Sequence, residues 1–158
     1  MTRFFNRKAG YLILATCLVS LAPAQAQQSH DHGHGMQIEL DHGRRWATDA
    51  PLREGMERVR AAVATARQAD AQGRLSTRQV QTLAIAVEDS IAFMVQHCRL
   101  EPKADANLHI LLGRLSAAVT AVKANPKAPD GLPQMLEALD LYSGYFAHPG
   151  WKAIAHGH

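Results

Sequence analysis

The chain carries nine histidines but only two cysteines, and its soft side chains cluster. Met94 and Cys98 are four apart, on one face of any helix that contains them, and His97 is three from Met94 on a neighbouring face. Thioether, thiolate and imidazole together suit Cu(I), while cysteine with histidine alone also suits zinc. The candidate ligand set is Met94, His97, Cys98 and His109, with Met56 and His148 as additions. A second signal is His30-Asp31-His32-Gly33-His34. Alternating imidazoles on a flexible segment gather around Cu(II), Zn(II) or Ni(II) with modest affinity. Each residue of the first set also has a structural reading. Methionine is ordinary core filler, Cys98 can simply pack, and a histidine closing a helix is favoured by the macrodipole.

Other chemistries lack their residues. There is no C-x-x-C-H for covalent haem, and no G-x-S-x-G, H-E-x-x-H, P-loop or dinucleotide fingerprint. Glu88 and Asp89 are adjacent, so they point to different sides of a helix. A Cys98–His109 nucleophile pair has no evident oxyanion donor or third group. The pattern indicates a binding protein and not an enzyme. One rival is a haem b electron carrier with Met56 and His148 as axial ligands. Another is a metal-free module that offers a tryptophan-rich end to a periplasmic protein partner.

The first residues assign a compartment. Arg3, Arg7 and Lys8 precede an apolar run from Ala9 to Ala22, and Ala24-Gln25-Ala26 is a small-x-small cleavage site. Residues 1–26 therefore read as a signal peptide cut before Gln27, and the mature chain is expected in the periplasm. The apolar run is shorter than the roughly 20 residues a membrane span needs. Thr16 before Cys17 is a poor lipid-attachment context, so no membrane anchor is expected. Removing the three signal-peptide bases from the chain's 17 leaves as many basic as acidic residues, of which there are 14. A neutral mature chain has no electrostatic footprint for nucleic acid. Cys17 leaves as well, so Cys98 is the one mature thiol and no intramolecular disulfide can form. An amino-terminal copper motif needs histidine at position three. Cleavage before Gln27 puts His30 at position four.

Elements that could position these ligands follow from periodicity. Residues 27–47 read as a histidine-rich flexible tail and irregular lead-in, in which Met36, Ile38 and Leu40 alternate as an extended piece laid on the core. Residues 48–158 read as the bundle domain. Leu52, Met56, Val59, Val63 and Ala66 form the first stripe, with Asp49 as N-cap and Pro51 in the first turn. Ser76 and Gln79 open the second as a capping box; its stripe is Val80, Leu83, Val87, Ile91, Met94 and Cys98, closed by Pro102. The third starts near Ala104 with Leu108, Leu111, Leu115, Ala118 and Val122. The fourth starts near Asp130, carries Leu132, Met135, Leu139, Tyr142 and Phe146, and stops at Pro149-Gly150. Four amphipathic segments joined by short turns predict an all-α, up-down-up-down four-helix bundle with an irregular N-terminal segment. In that topology all nine histidines, and both Trp46 and Trp151, gather at one end.

Three stretches carry a resemblance. Leu40-Asp41-His42-Gly43-Arg44-Arg45-Trp46-Ala47-Thr48-Asp49-Ala50-Pro51-Leu52-Arg53-Glu54-Gly55-Met56 resembles a signature of small exported proteobacterial proteins labelled DnrO-like. Cys98-Arg99-Leu100-Glu101-Pro102-Lys103-Ala104-Asp105-Ala106-Asn107-Leu108-His109 and Tyr145-Phe146-Ala147-His148-Pro149-Gly150-Trp151 are similar to that group too. The resemblance covers most of the mature chain and implies a periplasmic helical protein. All three stretches belong to the histidine end, where they serve either a site or a plug that closes the bundle.

Overall fold

Asp49 places its carboxylate where the first helix leaves its backbone donors unpaired, and Oδ1 accepts from the Leu52 amide at 2.9 Å. Helix α1 then runs over Ala50–Ala71, α2 over Thr77–His97, α3 over Pro102–Ala124 and α4 over Gly131–Tyr145. The computed structural model describes residues 37–127 and 130–155. Besides the four helices, these residues make only two isolated β-bridges. The signal segment, the tail histidines His30, His32 and His34, Met36, and the terminal His156 and His158 lie outside them.

Helix contacts run α1–α2, α2–α3, α3–α4 and α1–α4, with none across either diagonal. That is the square of an up-down-up-down bundle. Every expected stripe residue of α1, α3 and the fourth segment is buried, as are Val80, Leu83, Val87 and Met94 of α2. No helix among the described residues is long and apolar enough to cross a membrane.

Ser76 and Gln79 form the reciprocal capping box at the start of α2. Three boundaries differ from expectation. Pro102 does not close α2; it is the first residue of α3, where a missing N–H costs nothing, and Glu101 caps it through Oε1 to the Ala104 amide at 2.7 Å. The second helix ends earlier, at His97, with Cys98 already extended. The fourth ends at Tyr145 because Phe146 turns into extended backbone and pairs with Trp46. The lead-in also belongs to the core. Ile38 and Trp46 are buried among the helices, while Leu40 remains exposed.

Two close approaches depend on glycine. A Cβ at Gly55 would lie 2.7 Å from Met94 Sδ, so the Met94 side chain occupies that space between α1 and α2. A Cβ at Gly131 would run into the Ala118 carbonyl oxygen and sit 2.9 Å from Val122 Cγ1, where α4 crosses α3.

Candidate functional site

The approach to α1, the α2–α3 connection and the exit of α4 are tied into one end by hydrogen bonds. Trp46 N donates to Tyr145 O and Ala147 N to Trp46 O, both at 2.8 Å. Asp49 uses its second oxygen, Oδ2, to accept from Arg99 N at 2.7 Å, joining the α1 cap to the α2–α3 connection. Glu39 N donates to Asn107 Oδ1 at 2.7 Å, fastening the lead-in to α3. Every described histidine, His42, His97, His109 and His148, therefore belongs to this end, together with Trp46 and Trp151.

Convergence at one end does not bring the six expected ligands into one pocket. Met56 and Met94 are both 0 % exposed and spend their thioethers in the core. Cys98 is half-buried at the C-cap of α2, with its amide donating to Met94 O at 2.9 Å. Burial, the negative charges of Asp49 and Asp105, and a hydrogen bond to the Asp49 side chain push its thiol up to about 12, against a smaller opposing effect of Arg99. At neutral pH this group is a thiol, the poorer ligand and nucleophile. Alkylation of Cys98 by iodoacetamide is accordingly expected to be slow at pH 8. Its rate should still be rising at pH 10, with no inflection near the ordinary thiol value of about 8.5. A plateau reached by pH 9 would contradict that placement.

His97 is exposed in the last turn of α2, its ring 4.8 Å from that of Phe93, over which the Arg58 guanidinium lies at 4.2 Å. His109 is different. Its Nδ1 is 2.9 Å from the Asp105 carbonyl oxygen and 3.4 Å from Asp105 Oδ2. A carbonyl only accepts, so Nδ1 carries the proton and Nε2 keeps its lone pair, on a side chain 58 % exposed. An imidazole whose second nitrogen is tied to a carbonyl or carboxylate is the usual arrangement of a metal-binding histidine. His42 stands at the tip of the tight turn closed by the reciprocal Asp41–Arg44 hydrogen bonds, with φ +49° and its side chain 86 % exposed. Left-handed backbone at a non-glycine residue stores strain.

His148 turns inward despite the proline that follows it. Its side chain is 7 % exposed, and Nδ1 lies 2.8 Å from the Tyr142 hydroxyl. Tyr142 is fully buried, and desolvation raises its pKa, so the hydroxyl stays protonated and donates to Nδ1. The remaining Nε2–H faces Glu57 Oε1 at 3.8 Å. With Nδ1 accepting from Tyr142, the neutral ring carries its proton on Nε2, and neither nitrogen presents a lone pair to a metal. An axial haem position at His148 or Met56 would require these groups to leave the contacts that hold them.

Glu57, Arg60 and Tyr142 complete this cluster and were missed in the sequence reading. One signal pointed to it: a tyrosine on a core stripe near a helix end needs a partner for its hydroxyl, and His148 lies six residues on. Among the described residues no group of three or more His, Cys, Asp or Glu is arranged to hold a metal ion. Compared with known proteins, the chain matches no family, no curated protein and no solved structure.

Proposed function

We propose that the protein is an exported copper-binding protein of the periplasm that captures the ion through exposed imidazoles, in metal buffering, delivery or tolerance. On the bundle the ligands are His109 and His42; His30, His32 and His34 are a separate capture motif by their alternate spacing. The observation that carries this reading is His109, with Nδ1–H anchored on Asp105 and Nε2 left free on an exposed side chain. Nitrogen-rich sets suit Cu(II) and zinc, with copper the tighter of the two. Burial of both thioethers and protonation of Cys98 favour this set over the sulfur-rich one.

The test is a Cu(II) titration against a competing chelator. The variant with His30, His32 and His34 all changed to alanine is expected to lose at least about tenfold in affinity, and His109→Ala several-fold. Cys98→Ser should bind like wild type. Weakening in Cys98→Ser alone, with both histidine variants unchanged, would overturn the imidazole assignment.

A further inference from the structure

Beyond Phe146 the chain crosses the histidine end as a short strap. Ala147 is still fixed by its amide to Trp46 O. From His148 onward the attachments are side chains. The Trp151 ring packs edge-on against Tyr142 with centroids 4.8 Å apart, and lies 5.1 Å from the His148 ring. Ile154 rests on the core, and Gly150, at φ +81°, makes the turn between them. The strap sends the His148 imidazole into the bundle as a polar anchor.

That anchor is fully satisfied only when the ring is neutral. Nδ1 must be bare to accept from Tyr142, whose hydroxyl is buried and has no need to ionise. With a proton on Nδ1 the Tyr142 oxygen must turn to accept, and the hydroxyl hydrogen of this fully buried residue loses its acceptor. The groups around the ring do little to rescue the cation. On α1, Glu57 is the one nearby anion, but its Oε2 is already paired with Arg60, Nε at 2.8 Å. Arg60 itself lies under Trp151, and Arg53 adds a second positive charge on the same helix. On α4 the neighbour is the uncharged Tyr142, backed by Asp49 and the protonated Cys98. Burial outweighs the attraction of Glu57, so the imidazole's pKa lies below its ordinary value.

We propose that residues 148–155 form an acid-released strap: a neutral His148 latches it across the end of the bundle, and protonation of His148 frees it, uncovering Tyr142 and releasing Trp151 to solvent. The lifted ring binds a proton more tightly than the latched one, so acid drives the equilibrium toward opening. Opening falls below pH about 6.5, the ordinary histidine value, where the latched ring still resists charging.

The purified protein labelled with 5-fluorotryptophan reports this directly by 19F NMR, with Trp151→Phe assigning the two resonances. On acidification from pH 7.5 the Trp151 signal should move to its solvent-exposed position while far-ultraviolet circular dichroism stays helical. Its midpoint should coincide with that of the His148 ring carbons in the same sample. In His148→Gln, whose amide oxygen can still accept from Tyr142, Trp151 should stay in place throughout the helical range. In Tyr142→Phe, which weakens the latch, the midpoint should move to higher pH. A Trp151 signal that moves only when helicity is lost would overturn the proposal. So would an unshifted midpoint in His148→Gln, or separate midpoints for His148 and Trp151 in the wild type.

Discussion

Replacing Trp46 by alanine is expected to cost about 3–5 kcal/mol of stability, a large share of what a domain of this size possesses. Trp46 is 6 % exposed and belongs to the core although it precedes every helix. Its indole Nε1–H donates to Glu39 O at 2.6 Å, which holds the lead-in closed above it. Its backbone makes both hydrogen bonds to the exit of α4. Truncation therefore opens a void and leaves the Glu39 carbonyl without its partner, two penalties that add. Urea denaturation should show the midpoint falling with little change in slope. A loss below about 1 kcal/mol would mean that the lead-in is a loose cover and not part of the core.

The second large effect is expected at Gly131, and its sign is the informative part. Glycine to alanine in a helix normally stabilises by about 0.5–1 kcal/mol, because it removes freedom from the unfolded chain. At Gly131 the added methyl meets the Ala118 backbone carbonyl and Val122 Cγ1, and a backbone cannot rotate aside as a side chain can. Gly131→Ala should instead destabilise by about 1–3 kcal/mol, with α4 forced away from α3. Gly113 and Gly144 are internal controls, since a Cβ at either meets nothing within 4 Å. Gly113→Ala and Gly144→Ala should raise the thermal midpoint while Gly131→Ala lowers it. A rise for all three would show that the α3–α4 crossing is looser than described.

The bundle was legible because its core is written in one alphabet. Leu52, Met56, Val59, Val63 and Ala66 repeat at helical spacing, and so do Leu108, Leu111, Leu115, Ala118 and Val122; burial followed the stripe in both. Local capping chemistry fixed the starts of α1 and α2 through Asp49 and Ser76. Topology then placed the four described histidines, His42, His97, His109 and His148, at one end without knowledge of any contact. Spacing could not say which atoms each side chain meets there. Met94 fills the space beside Gly55 between α1 and α2, which no pattern on α2 alone reveals. Cys98 is partly buried beside a capping carboxylate some fifty residues earlier, and burial first, with that charge second, pushes its thiol further from ionising. Pro149 directly after His148 leaves the direction of its ring open in the sequence, and in the structure the side chain is committed to a tyrosine on the preceding helix. Proline misled at position 102, where it starts a helix instead of closing one. Periodicity reports burial well. It reports the partners of polar groups poorly, because those are set by contacts between segments distant in sequence.

The central claim is that copper is captured at the histidine end by imidazoles. It is tested most directly by adding substoichiometric Cu(II) to the 15N-labelled protein, since the paramagnetic ion erases amide signals close to it. The expected result is loss of signal confined to the tail histidines, the turn around His42 and the first turns of α3 around His109. Signals of the opposite end, near residues 72–76 and 125–127, should remain. Broadening centred on that opposite end, or spread evenly over the bundle, would contradict the claim.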